Sequence, residues 1–217
     1  MPCTPDRRLL LIHIPKTGGT SLEQALGMHG PWDQENQQIL YGEIKDSTLL
    51  AMGWCSAFLQ HLTWQELHQR WAMELSGSIT LAAVRNPWAR FASVFTNTDT
   101  HLKLMAKKMG IELEGLSFGD FVDATETLDH AHLRPQRDYL VDEADVLMVP
   151  NLLRTELLAS DFRRFCVKYD IKAELPWTNR SGQSIPFQQH YCSSSWQRIG
   201  ERYCADVALW EQLNKQS

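Results

Sequence analysis

One stretch constrains this chain more than any other, Arg7-Arg8-Leu9-Leu10-Leu11-Ile12-His13-Ile14-Pro15-Lys16-Thr17-Gly18-Gly19-Thr20-Ser21. The run Leu9 to Ile14 is short, mostly aliphatic and closed by Pro15, the pattern of a central parallel strand buried on both faces. Gly18 and Gly19 permit positive φ and close backbone approach, and Thr20 or Ser21 can cap a helix that Leu22 to Leu26 continues. A lysine, backbone N–H groups and two hydroxyls then converge at a helix N-terminus, which makes an anion site. The plainer alternative is a strand–turn–helix whose glycines serve only the turn.

The order of residues narrows the anion. A Walker A loop places its lysine after the glycines, as G-x-x-x-x-G-K-[ST]. Here Lys16 precedes Gly18 and Gly19, so an ordinary P-loop nucleotidase fits poorly. A second strand is expected over Ser78 to Val84, and it too runs into a turn, Arg85-Asn86-Pro87, with Pro87 suited to the first turn of a helix. Arg85 offers a forked guanidinium matched to phosphate, and Ser93, about two helical turns on, adds a hydroxyl. Taken singly, Arg85 reads as an exposed turn and Ser93 as a solvated helix position.

Together the two turns resemble the sulfotransferases that use 3′-phosphoadenosine 5′-phosphosulfate (PAPS). Pro15-Lys16-Thr17-Gly18-Gly19-Thr20-Ser21 is similar to their 5′-phosphosulfate loop, and the wording from His13 to Ser21 is closest to the carbohydrate branch. Arg85-Asn86-Pro87-Trp88-Ala89-Arg90-Phe91-Ala92-Ser93 fits their 3′-phosphate motif, R-[ND]-P-x-x-R-x-x-S. The resemblance implies that Lys16, Thr17, Gly18, Gly19, Thr20 and Ser21 hold the 5′ end of PAPS, and that Arg85 and Ser93 hold its 3′-phosphate. An acceptor hydroxyl would attack sulfur in line, leaving the bisphosphate PAP, with Lys16 neutralising the developing charge. No carboxylate of Walker B type is found, and no metal is expected.

The same resemblance supplies candidates for the remaining roles. Glycan 2-O-sulfotransferases use a histidine between the two motifs as general base, and Phe58-Leu59-Gln60-His61-Leu62 looks like their Gly-His-Leu pattern, with Gln60 in place of glycine. His61 is therefore the candidate base; a histidine that caps or packs at a helix start is the alternative. His132-Leu133-Arg134-Pro135-Gln136 resembles a His-x-x-Pro-Gln segment, which makes His132, Arg134 and Gln136 candidates for acceptor binding and His132 a rival base. Arg180, in an echo of a late Asn-x-Ser loop, would close over the nucleotide. His13 reads as a core or supporting residue, and His29 and His68 as surface positions.

The remaining pattern sets the frame. Strands alternating with helices predict an α/β fold: one domain over residues 1–217, a mostly parallel central sheet flanked by helices, in the P-loop-like sulfotransferase manner. A third strand is expected at Asp145 to Val149, following a helix over Ser117 to Leu128. Thr63-x-x-Glu66 is a capping box that starts a helix ending near Trp71, with His61 at a strand end just before it. Single helices are predicted from Trp88 to about Lys108, from Thr155 to Tyr169 with Leu157 inward, and from about Ser194 with Trp196 and Trp210 in the core. The segment from Gly27 to Lys45 reads as a loop with one short strand at Ile39 to Tyr41. Trp32, Trp54 and Trp177 are candidates for stacking on a sugar.

A formal charge of −5 argues against a nucleic-acid binder. Five cysteines without a C-x-x-C pair favour a reducing cytoplasm over a disulfide framework. No apolar run reaches the roughly 18 residues of a membrane span. A bacterial-type enzyme without a membrane anchor, or an excised domain, is expected, acting on a hydroxyl-bearing glycan or glycolipid. Two rivals remain at this stage, a P-loop-like kinase and a non-catalytic nucleotide- or glycan-binding descendant.

Overall fold

Three short parallel strands carry the described architecture, and two of them arise where aliphatic runs meet a proline-containing turn. In this computed structural model the described residues are 3–28, 59–73, 75–176 and 185–215. They fall into two compact units, Met1–Val84 with Gln136–Thr178 and Arg85–Pro135 with Asn179–Ser217.

In the first unit, β1 (Leu9–Ile12), β2 (Ile79–Val84) and β3 (Asn151–Arg154) form a sheet in the order β1-β2-β3, all parallel. Leu9 pairs with Ile79 and Ile12 with Ala82, so β1 and β2 run in step and end at the same sheet edge. The middle strand is β2, not β1 as the sequence predicts; β1 meets β2 on one side and an isolated antiparallel bridge from Cys3 to Leu10 on the other. Every residue of β1 is nevertheless buried.

One face of the sheet presents Leu9, Leu11, Leu81, Ala83 and Leu153 to Leu22 of α1 (Gly19–Ala25) and Phe162 and Phe165 of α6 (Leu158–Tyr169). Burial of these apolar side chains is the main stabilising term for a sheet of this size. The capping box forms as predicted: Thr63 Oγ1 accepts from Glu66 N while Glu66 takes the Thr63 N–H, opening α2 (Trp64–Trp71). A cap of this kind contributes about 1 kcal/mol.

The third strand lies elsewhere than predicted. Asp145 to Val149 makes only an isolated bridge between Val141 and Leu147, and Val146 and Leu147 stay exposed; the strand is Asn151–Arg154 beyond Pro150. The helix from Thr155 also starts differently, as a 3-10 turn Thr155–Leu157 with Leu157 exposed, before α6 begins. His61 sits in a 3-10 turn, Leu59–His61, rather than at a strand end.

The second unit packs α3 (Pro87–Thr96), α4 (Thr100–Lys108), α5 (Phe118–Ala124), α7 (Ser193–Arg202) and α8 (Cys204–Lys215) around Phe91, Phe121, Ile199 and Tyr203. The predicted helix from Trp88 to Lys108 is broken because polar side chains claim the backbone between its halves. Thr98 Oγ1 donates to the Val94 and Phe95 carbonyls, and Asp99 caps α4 by accepting from His101 N and Leu102 N. The predicted C-terminal helix is likewise two. Trp196 is 38% exposed instead of buried: its ring lies flat on Trp88, with centroids 4.6 Å apart, and is otherwise open to solvent in part. The predicted strand at Ile39 to Tyr41, the loop around it, and Arg180, His29, Trp32, Trp54 and Trp177 lie outside the described residues.

Candidate functional site

The chain leaves β1 through His13-Ile14 and turns at residues 15–18 into α1. Lys16 has φ 66°, the left-handed region that non-glycine residues avoid, and Gly18 follows at φ 90° as the residue preceding α1. A non-glycine residue held there costs about 1 kcal/mol and persists only where its surroundings impose it. The half-buried Lys16 therefore stands in a turn made of constrained backbone. Thr20 and Ser21 lie within the first turn of α1 rather than capping it, since Gly18 is the cap and offers no side chain. Thr20 is exposed and Ser21 half-buried.

Interlocking hydrogen bonds hold this turn in place. Thr17 is fully buried, and its hydroxyl donates to the Ile14 carbonyl at 2.8 Å, so its side chain braces the turn. Thr155, immediately after β3, approaches the Thr17 carbonyl at 2.7 Å and the Val84 carbonyl at 3.2 Å with one hydroxyl. That hydroxyl ties the turn after β1 to the last residue of β2, from which the chain proceeds to Arg85. Behind Thr155, Arg154 donates from N, Nε and a terminal nitrogen to the buried Asp161 carboxylate. Burial alone would raise the Asp161 carboxyl; the Arg154 hydrogen bonds and charge outweigh it and hold it below the usual value. The sequence carries no motif for Thr155, because the strand that presents it was expected elsewhere.

Beneath the turn lies a buried polar cluster. His13 Nδ1 and Glu23 Oε1 are 2.5 Å apart, and the Gln60 amide donates to both Glu23 oxygens at 2.9 Å. Glu23 is only 2% exposed. Burial acts to raise its carboxyl, but the His13 hydrogen bond and charge and the Gln60 amide hold it below the ordinary range, so it stays a carboxylate. His61 Nδ1 lies 3.1 Å from the His13 carbonyl, and the two imidazoles meet edge to face with centroids 4.9 Å apart. The His13 ring also fixes Gly19: a Cβ there would sit 2.3 Å from it. The site needs glycine at that point for packing, since Gly19 is already in the helix. Glu23 shares a helical stripe with the buried Leu26, but its polar partners, His13 and Gln60, lie 10 and 37 residues away in sequence, which left it out of the sequence reading.

The other predicted residues fall in both units. Arg85 and Ser93 belong to the second and are half-buried: Arg85 just precedes α3, where Asn86 Oδ1 accepts from Ala89 N and Pro87 occupies the first helical position, and Ser93 lies within the helix. Arg90 of α3 is buried and donates to the His132 carbonyl. His132 and Arg134 are half-buried, with the His132 and Arg134 N–H groups both directed to His130. Gln136 belongs to the first unit and is fully buried beside a 3-10 turn, Arg137–Tyr139.

The donor set of the first turn suits an anionic group. It offers an ammonium, hydroxyls and backbone, and the one carboxylate of α1 is turned into His13 and Gln60. The model for the sulfotransferase family matches residues 2–206. The chain belongs to the sulfotransferase family. No curated protein and no solved structure matches it significantly. Among the described residues no group of three or more histidine, cysteine, aspartate or glutamate side chains is arranged to hold a metal ion, and no helix is long and apolar enough to cross a membrane.

Proposed function

We propose that this sulfotransferase uses PAPS and transfers its sulfuryl group to a hydroxyl of a carbohydrate acceptor, a glycan or glycolipid, with His61 as general base. The observation that carries the reading is the shared edge of β1 and β2, where two adjacent parallel strands each run into a turn of anion-binding composition. Ligands of α/β sheets bind beyond the carboxyl ends of the strands, and the chain enters each of the two turns from such an end.

PAPS, when bound, supplies the sulfuryl group and a bisphosphate leaving group. Lys16, the backbone of Thr17, Gly18 and Gly19, and the hydroxyls of Thr20 and Ser21 would hold its 5′ end, and Arg85 and Ser93 its 3′-phosphate, with Arg180 closing over the nucleotide. His61, with Nδ1 3.1 Å from the His13 carbonyl, would, when neutral with its proton on Nδ1, take the acceptor proton at Nε2. His132 and Arg134, both half-buried, would face the acceptor, whereas the fully buried Gln136 would not reach it directly. The matched span covers residues from both units, which supports a single sulfotransferase domain, and the cysteine spacing supports a reducing, cytoplasmic setting.

Ligand-dependent melting tests this reading. At a hundredfold excess over Kd, PAP should stabilise the protein by about 2.7 kcal/mol, raising Tm by roughly 5–10 °C for a chain of this size. ATP with Mg²⁺ should give a smaller shift. Stabilisation by ATP–Mg²⁺ alone would overturn the reading in favour of a kinase.

A further inference from the structure

We infer that Glu23, acting through His13 and Gln60, is the positioning residue that selects the tautomer of His61. The inference rests on the sulfotransferase reading, in which His61 is the base. A neutral imidazole can serve as base at Nε2 only if its proton sits on Nδ1, and which nitrogen holds the proton is set by the hydrogen bond the other makes. In this chain the acceptor for the Nδ1 proton is a backbone carbonyl, that of His13, at 3.1 Å.

That carbonyl is useful only if His13 and His61 keep their relative place, and Glu23 grips both sides of the pair. It binds the His13 ring directly at 2.5 Å. It also binds Gln60, the residue covalently preceding His61, through both carboxylate oxygens at 2.9 Å. The edge-to-face packing of the two imidazoles completes the enclosure. A buried carboxylate is unfavourable unless its lone pairs are met. Here Glu23 is met by the two groups that flank the base, and no role in holding an anion is left to it.

Gln60 acquires a purpose in this arrangement. It stands where the resemblance leads one to expect glycine, and a glycine could not reach Glu23. The amide makes the turn ahead of His61 part of the buried network instead of a bare backbone bend.

The test reads the tautomer itself and does not depend on knowing the acceptor. In ¹⁵N-histidine-labelled protein, long-range ¹H–¹⁵N correlation should show neutral His61 as the Nδ1–H form alone. In Glu23→Gln and, as a second variant that leaves the His13–Glu23 pair intact, Gln60→Ala, the Nε2–H form should appear beside it. With an active acceptor, kcat should fall about tenfold to hundredfold, as for loss of other groups that orient an imidazole, while acceptor KM changes little. A single Nδ1–H form persisting in both folded variants would overturn the inference. PAP titration of the unaltered protein separates this from the parent reading: if PAP fails to bind, the sulfotransferase assignment of the site is wrong whatever His61 does.

Discussion

Lys16→Ala is expected to lower sulfuryl transfer from PAPS about hundredfold to thousandfold, the usual loss when one donor aimed at developing charge is removed. The expectation follows from where the residue stands. Its backbone is held in the left-handed region between Pro15 and a braced Thr17, so the side chain leaves the turn from an imposed position. Alanine adopts the same φ with comparable difficulty, so the substitution removes the ammonium without relieving the backbone. Turnover should be read as radiolabelled sulfate passed from PAPS to a panel of glycans, glycolipids, small alcohols and phenols. PAP affinity should weaken as well, because on the proposed reading Lys16 would serve both ground state and transition state. Unchanged transfer by a folded Lys16→Ala protein would remove this lysine from the chemistry.

His61→Ala should show the opposite division. Loss of a general base costs about 10²- to 10⁴-fold in rate, and His61 makes its described hydrogen bond to the His13 carbonyl, away from the anion-binding turn's own donors. Transfer should therefore collapse while PAP titrates with nearly its original affinity. The same assay decides between His61 and His132, since His132→Ala should lower turnover chiefly by raising acceptor KM. If His132→Ala rather than His61→Ala abolishes kcat with PAP binding intact, the two assignments exchange.

How much of this was legible beforehand depended on whether a residue's role is local. The strands at Leu9 and Ile79 announce themselves because aliphatic runs stop at Pro15 and before Pro87, and the Thr63–Glu66 box is a contact between residues three apart. The third strand was misplaced because hydrophobicity favours Val146-Leu147-Met148, whereas pairing with β2 selects the less apolar Asn151-Leu152-Leu153-Arg154. That choice is made by a partner distant in sequence, and no local pattern records it. Thr155 and Asp161 were hidden by the same misplacement. In the cluster below the turn, His13 could be read as supporting and Glu23 could not, because its partners, His13 and Gln60, come from opposite ends of a long sequence gap. Trp196 failed for another reason: helical spacing marks a face, but not whether the layer above it is protein or solvent.

The central claim is that a nucleotide with two anionic ends is held by two separate turns, and calorimetric titration of PAP and adenosine 5′-monophosphate against the unaltered protein and Arg85→Ala tests it most directly. The two ligands differ only in the 3′-phosphate, so the four affinities form a thermodynamic cycle. A charge-assisted contact between Arg85 and that phosphate predicts that Arg85→Ala weakens PAP about tenfold to a hundredfold, corresponding to roughly 1.5–3 kcal/mol, and leaves the monophosphate unchanged. Equal weakening of both ligands, or of neither, would contradict the account.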